Sequence, residues 1–266
     1  LGTVLAGLPG CKNAPVAVLT GRTVQSVAAL QGVLQSGNYY VPIDEQMPEA
    51  RMRRILAQVH ARAIVFPEAC RPQAERLADC APLVCLEEAE KTAPDNTLLQ
   101  ARREQIIDLD PVYLLFTSGS TGTPKGIVIS HRAILDFTDW LTDFCGYTEH
   151  EVFGNQSPFF YANSIIDIFP LALLGAKACM IPATALSFPK TLVNYLRQKG
   201  VTELTMTPSS FVQVANSGVL TENCLPELEY MIMSGEVMPW AQLAVWMNAA
   251  PKGHAWNFYG STEMFS

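Results

Sequence analysis

Residues 117–126 read TSGSTGTPKG, a run in which hydroxyl-bearing side chains and glycines surround one cation, Lys125. Ser118, Ser120, Thr121 and Thr123 supply hydroxyl donors, while Gly119, Gly122 and Gly126 permit close approach of the backbone to a ligand. Such a set suits a phosphate, because backbone N–H groups and hydroxyls can ring the anion while an ammonium balances its charge. A Walker-type loop follows its Lys with Ser or Thr and opens a helix. Here Pro124 precedes Lys125, Gly126 follows it, and the next residues, IVIS, are β-branched and strand-like. The frame is therefore strand–loop–strand, and a P-loop phosphotransferase is disfavoured. The helix comes later, over HRAILDFTDWLTDF, with Ser130 as its N-cap.

The elements that must carry this loop alternate in type. PVAVLT, YYVPI and RAIVF read as buried strands. Between them lie a helix from about Thr23 to Gln35, closed by Gly37, and a second helix through ARMRRILAQVH with Pro48 in its first turn. Further on, KACMIP, VTELTM and LEYMIM are strand-like, and KTLVNYLRQKG, SSFVQVANSG and WAQLAVWMN are helical. Residues 67–110, rich in Pro, Ala and charge, read as a helix and a long surface connection. The alternation predicts an α/β fold of layered, largely parallel sheets covered by helices.

Composition narrows the class. A chain of 266 residues, 49% hydrophobic, can bury a core as one large domain or two smaller ones. Eighteen Lys plus Arg against 25 Asp plus Glu give a net charge of −7, which argues against a nucleic-acid partner. The richest apolar stretch, PLALLGAKACMIP, is too short to span a membrane and carries Lys177; the first residues lack the basic start of a signal peptide. Seven cysteines are odd in number and irregularly spaced, and Cys80 and Cys85 lack partners at zinc-ligand spacing. They are expected to be reduced, mostly buried thiols of a cytoplasmic protein. His131 reads as first-turn structure, and His60, His150 and His254 have no carboxylate or Cys at useful spacing.

TSGSTGTPKG resembles the phosphate-loop signature of the adenylate-forming enzymes, the superfamily of acyl-CoA synthetases, luciferases and peptide-synthetase adenylation domains. LQSGNYYVPIDEQMPEARMRRIL resembles the segment in which a helix, a Gly and YVPID precede a Pro-started helix. NFYGSTE, residues 257–263, resembles the motif N-x-Y-G-x-T-E, and FGNQSPFFYANSIIDIFPLALLGA is similar to amino-acid adenylation domains, particularly D-alanine–carrier protein ligases. The resemblance implies the large N-terminal domain of such an enzyme, incomplete. About residues 1–110 would form a first α/β part, and about 111–266 a second part holding the phosphate loop and adenine motif. The C-terminal lid domain would be absent.

The implied activity is ATP-dependent acid–thiol ligation: a carboxylate, a small amino acid or related acid, becomes an acyl-adenylate as pyrophosphate leaves. The acyl group then passes to phosphopantetheine on a carrier protein. An acyl- or aryl-acid CoA ligase, or a protein that binds ATP and carboxylate without the chemistry, is the alternative. ATP and Mg²⁺ are the implied cofactors; no nucleic acid or membrane partner is implied. By resemblance, Thr117 to Gly126 wrap the phosphates, with Lys125 as counter-charge; Asn257, Phe258, Tyr259 and Gly260 frame adenine. Thr262 meets the α-phosphate and Glu263 holds Mg²⁺, while Ser234, Gly235 and Glu236 match a G-G-E turn lining the purine and acyl pockets. Ala162, Asn163 and Ile166, with Ser234, Gly235 and Phe258, are the implied substrate residues. Amino-acid-activating members carry F-D-x-S, the Asp pairing with the substrate's α-ammonium. Aligning Ser164 with that Ser puts Ala162 at the Asp position, so the pairing acid is missing. A substrate without an α-amino group, a binding-defective variant, or a one-turn shift to Asp167 would each account for it; Asn163 offers an amide to a hydroxyl or keto group.

Overall fold

The computed structural model describes residues 1–117 and 125–263. The chain divides into two compact units, Leu1–Leu135 and Asp136–Ser266.

In the first unit α1 (Gly2–Gly7) precedes β1 (Pro15–Thr20), α2 (Val24–Gln35), β2 (Tyr39–Asp44), α3 (Glu49–Val59) and β3 (Ala63–Phe66). Then come α4 (Arg71–Glu75), β4 (Leu83–Cys85), α5 (Leu86–Ala89), α6 (Asn96–Arg103), β5 (Pro111–Thr117) and β6 (Lys125–Ser130). The strands form one sheet in the order β4-β3-β1-β2-β5-β6, parallel except for the antiparallel pair β5–β6. Every residue of β3 is buried, which is why its sequence is a continuous apolar run and not an alternating one. One face of the sheet, Ala17, Leu19, Val41, Ile43, Ile64 and Phe66, packs with Met52, Ile55 and Leu56 of α3. Each such fully buried aliphatic side chain contributes about 1.5–3 kcal/mol. Thr23 caps α2 by accepting from the Ser26 N–H at 3.1 Å.

Residues 67–110 are more structured than the sequence suggests. Besides short helices, the segment supplies β4, whose three residues pair with Ile64–Phe66 at the sheet edge. Three residues between Pro82 and a helix give too short a pattern for periodicity to show; the neighbouring strand defines it.

α7 (His131–Cys145) starts behind Ser130, whose Oγ accepts from the Ala133 N–H at 3.4 Å. His131 opens that helix, its backbone N–H donating to the Asp110 carbonyl at 2.9 Å.

The second unit continues with β7 (Val152–Asn155), α8 (Ile165–Leu174), β8 (Lys177–Met180), α9 (Ala183–Ser187), α10 (Pro189–Lys199) and β9 (Glu203–Met206). It ends with α11 (Pro208–Asn216), β10 (Tyr230–Ser234), α12 (Trp240–Ala249) and β11 (His254–Phe258). Its sheet, β11-β10-β9-β7-β8, is parallel throughout. Side chains alternate between faces, so the register sorts them into two sets. Leu204, Met206, Met231 and Met233 share one face and join a core with Phe211, Leu192, Leu196 and Trp246. Phe153, Asn155, Glu203, Thr205, Tyr230, Ile232 and Ser234 share the other. α7 and α8 lie on that side: Trp140 and Phe144 meet the rings of Phe258 and Trp256, and Asp167 meets Asn155.

Candidate functional site

In a parallel α/β sheet, ligands bind outside the carboxyl ends of the strands, where the chain turns into loops and helix N-termini. In the second unit the expected site residues collect at that edge. Ser234 ends β10, and Gly235, at φ +93°, swings the chain off the strand in a conformation strained for any L-residue. The Glu236 carboxylate accepts from the Ser209 N–H at 2.9 Å and the Ser209 Oγ at 3.3 Å. An anion thus sits at the N-terminus of α11, where it meets an unsatisfied N–H and the positive end of the helix dipole. Asn257 Nδ2, from β11, donates to the Glu236 carbonyl at 3.0 Å. Thr207 Oγ1 lies 3.0 Å from both Ser209 Oγ and Ser210 Oγ. Three strand ends are therefore tied together by one short polar chain.

What stands out from this frame is available for binding. Tyr259 is 98% exposed and presents a bare ring, an apolar face on which a flat heterocycle can stack. Phe258 is half-buried, its ring tilted against Trp140 at 5.7 Å. Gly260 and Glu263 are exposed and Thr262 is half-buried. An exposed carboxylate such as that of Glu263 is a hard oxygen donor of the kind Mg²⁺ takes. Ser234 Oγ is buried without a hydrogen-bond partner among the described residues.

The substrate positions lie where β7 gives way to α8. Ala162–Ser164 form one 3₁₀ turn, fixed by Ser164 Oγ donating to the Tyr161 carbonyl at 2.8 Å. Ala162 and Asn163 are half-buried and Ile166 is buried. Asp167 is 1% exposed and accepts from Asn155 Nδ2 at 2.6 Å.

In the first unit, Thr117 ends β5 opposite Lys125, which begins β6 and is exposed. Two antiparallel strands thus flank the loop. Ser118, Gly119, Ser120, Thr121, Gly122 and Thr123 lie outside the described residues. At Gly126 a Cβ would come within 3.0 Å of Leu114 Cδ2, so strand packing also restricts that position. Elsewhere in this unit Glu68, Cys85 and Glu88 bring three possible ligand atoms together. Arg71 already pairs with Glu68 at 2.7 Å and Glu88 at 2.6 Å, which offsets one of the two carboxylate charges and occupies oxygens that a metal would need. All seven cysteines are free, with Cys11, Cys70, Cys85 and Cys145 buried.

An all-parallel sheet with polar residues gathered outside its strand ends is the architecture in which open α/β proteins bind their ligands. Residues 1–266 match the family described as AMP-binding enzyme, and the chain belongs to that family. It is 29% identical over 251 residues to the D-alanine--D-alanyl carrier protein ligase of Bacillus velezensis, covering 94% of this chain and 49% of that protein. With the ligase of the same name from Lacticaseibacillus paracasei it shares 32% over 255 residues, 95% of this chain and 49% of the relative. The chain spans about half the length of the curated relatives it matches. Among solved structures, IdnL7 superposes with a TM-score of 0.82 at 26% identity, over 100% of this chain and 54% of that one. The nonribosomal peptide synthetase FmoA3 in its α-methyl-L-serine-AMP-bound form gives a TM-score of 0.84 at 21% identity, over 99% of this chain and 29% of that one, and shows the shared fold. No helix among the described residues is long and apolar enough to cross a membrane.

Sequence reasoning passed over several residues that the structure places at this edge or on the sheet face behind it: Asn155, Glu203, Thr205 and Ser209. Glu203 left a signal, an acid inside the apolar strand VTELTM. Ser209 left none, since its partner Glu236 is distant in sequence.

Proposed function

We propose that this chain is the N-terminal core of an adenylation domain that converts a carboxylate and ATP into an acyl-adenylate with release of pyrophosphate. The observation that carries the reading is the tied edge of the second sheet. There Glu236, Ser209 and Asn257 fix the strand ends beneath an unpartnered Ser234 hydroxyl and a bare Tyr259 ring. In the reaction a carboxylate oxygen attacks the α-phosphorus and the bond to pyrophosphate breaks. No base is required, because the acid is ionised at neutral pH. The barrier is repulsion between anions, so positive potential and fixed donors do the catalytic work. Lys125 and residues 117–126 are assigned to the β- and γ-phosphates, Thr262 to the α-phosphate, and Asn257 to Gly260 to adenine. Glu263 would hold Mg²⁺, which when bound neutralises phosphate charge.

The relatives named as carrier protein ligases support a carrier protein as the acyl acceptor; its phosphopantetheine thiol and a cytoplasmic setting complete the reading. For the acid itself, Ala162 offers no charge to an α-ammonium, and Asp167 is buried against Asn155. Together with the Asn163 amide, these favour a small acid bearing hydroxyl or keto in place of the amine. ATP–pyrophosphate exchange in the full-length protein, run over a panel of small carboxylates, tests the assignment. Carboxylate-dependent exchange is expected; release of orthophosphate, or no exchange with any acid, would overturn it.

A further inference from the structure

Behind the turn that carries Ala162 and Asn163 lies a buried group of acids with no role in the chemistry above. Asp167, in the first turn of α8, is 1% exposed, and Glu203, at the start of β9, is 0% exposed. Each carboxyl has one satisfied oxygen. Asn155 Nδ2 donates to Asp167 Oδ2 at 2.6 Å, and Thr205 Oγ1 donates to Glu203 Oε1 at 2.6 Å. The other two oxygens, Asp167 Oδ1 and Glu203 Oε2, are buried without partners among the described residues. Thr205 faces both carboxyls but has one hydroxyl proton to give.

The groups that face the pair from the surrounding elements are neutral or acidic. They are Tyr147 and Cys145 from the end of α7, Asn155 from β7, Thr205 from β9, and Glu151 ahead of β7, with Tyr230 of β10 beside Glu151. Two carboxyls buried in this way, with no cation facing them among the described residues, cannot both stay ionised; a proton kept on one of them removes a charge and makes that carboxyl a donor.

We propose that one of the two buried acids Asp167 and Glu203 keeps its proton in the folded protein, and that Asp167 fastens the start of α8 to β7, making it a positioning residue for the acyl substrate. The substrate role rests on the function proposed above. Asp167 follows the Ala162–Ser164 turn by three residues and ties it to β7; losing that tie would free the turn from its floor. Burial pushes the Asp167 carboxyl up to about 7, and burial together with the Asp167 charge pushes Glu203 well above its ordinary value. Groups raised in this way stabilise the fold at low pH, and the contribution is lost as pH rises through the folded-state values.

The test uses the whole chain. Between about pH 6 and about pH 9 the wild-type melting temperature falls by roughly 5–10 °C. In Asp167→Asn and in Glu203→Gln, each a neutral copy of the protonated acid, the slope is shallower. Slopes equal to wild type overturn the retained proton. Infrared spectroscopy of the wild type needs no variant to fold: a protonated-carboxyl C=O band at neutral pH is expected, and its absence does the same. For the positioning role, amide exchange over 161–167 is about tenfold faster or more in Asp167→Ala, unchanged in α10 and α12, and restored in Asp167→Asn. Uniform acceleration across the unit would reduce Asp167 to a purely structural residue. None of these readouts moves if ATP–pyrophosphate exchange fails, so the two readings stand or fall separately.

Discussion

The two faces of the second sheet are built from the same strands, residue next to residue, yet they are different materials. On one, Leu204, Met206, Met231 and Met233 meet Phe211 and Trp246 in an apolar core, where Trp246 Nε1 donates to the Phe211 carbonyl at 2.9 Å. On the other, Asn155, Glu203, Thr205 and Ser234 are buried with several polar atoms left unpartnered. Apolar packing needs no exact partner and tolerates a continuous surface, so the apolar face supplies stability. Unpaired buried polar groups cost free energy, typically 1–3 kcal/mol each, so a face that keeps them is specialised for something other than stability. That face also runs out into Ser234 and the turn at Gly235, where the proposed ligand edge begins.

The sharpest way to break this contrast is on the apolar side. Trp246→Ala removes a fully buried ring that packs edge-on against Phe211 at 4.9 Å. A loss of about 3–5 kcal/mol in urea unfolding is expected; a loss under about 1 kcal/mol would show that this face does not hold the unit together. The next largest effect belongs to the polar side. Ala162→Asp in the full-length protein restores a charge partner, and small α-amino acids should bind roughly a hundredfold tighter by isothermal titration. Unmodified protein that already binds alanine at micromolar concentrations would refute the argument.

Asn155→Ala withdraws the donor from Asp167 and should cost about 1–3 kcal/mol. Because burial already raises the Asp167 carboxyl to about 7, losing a bond to its ionised form raises it further. The loss of stability with rising pH therefore continues to higher pH than in wild type, as melting curves across pH would show. Least of all should change at the exposed ends. Lys125→Ala and Glu263→Gln are expected to leave stability within about 1 kcal/mol while weakening MgATP binding, measured by melting and calorimetry side by side. A large destabilisation would make either residue structural.

Legibility followed local pattern strength. β1, β2 and β3 are continuous apolar runs bounded by turn residues, and α2 carries its own cap at Thr23, so each could be read in isolation. β4, β7 and β11 could not. LVC is three residues, VFGN holds a Gly and an Asn, and HAWNF mixes polar and aromatic residues. They are strands because a neighbouring strand offers them hydrogen bonds. Of the candidate site, the motif residues were legible because they are contiguous; Ser209 and Asn155 were not, because their partners Glu236 and Asp167 come from other elements.

By itself the sequence determined the alternation of strands and helices, the strand–loop–strand frame around Lys125, and the family resemblance carried by three contiguous motifs. Those depend on short-range periodicity and on residue types in a row. Only the tertiary structure decided which face of β9 would be apolar, and that Glu203 and Asp167 would both be buried with no cation facing them among the described residues. An acid in a strand is compatible with either solvent or core until the register of the neighbouring strands and the helix above it fix its surroundings. Burial and charge pairing are sums over groups distant in the chain.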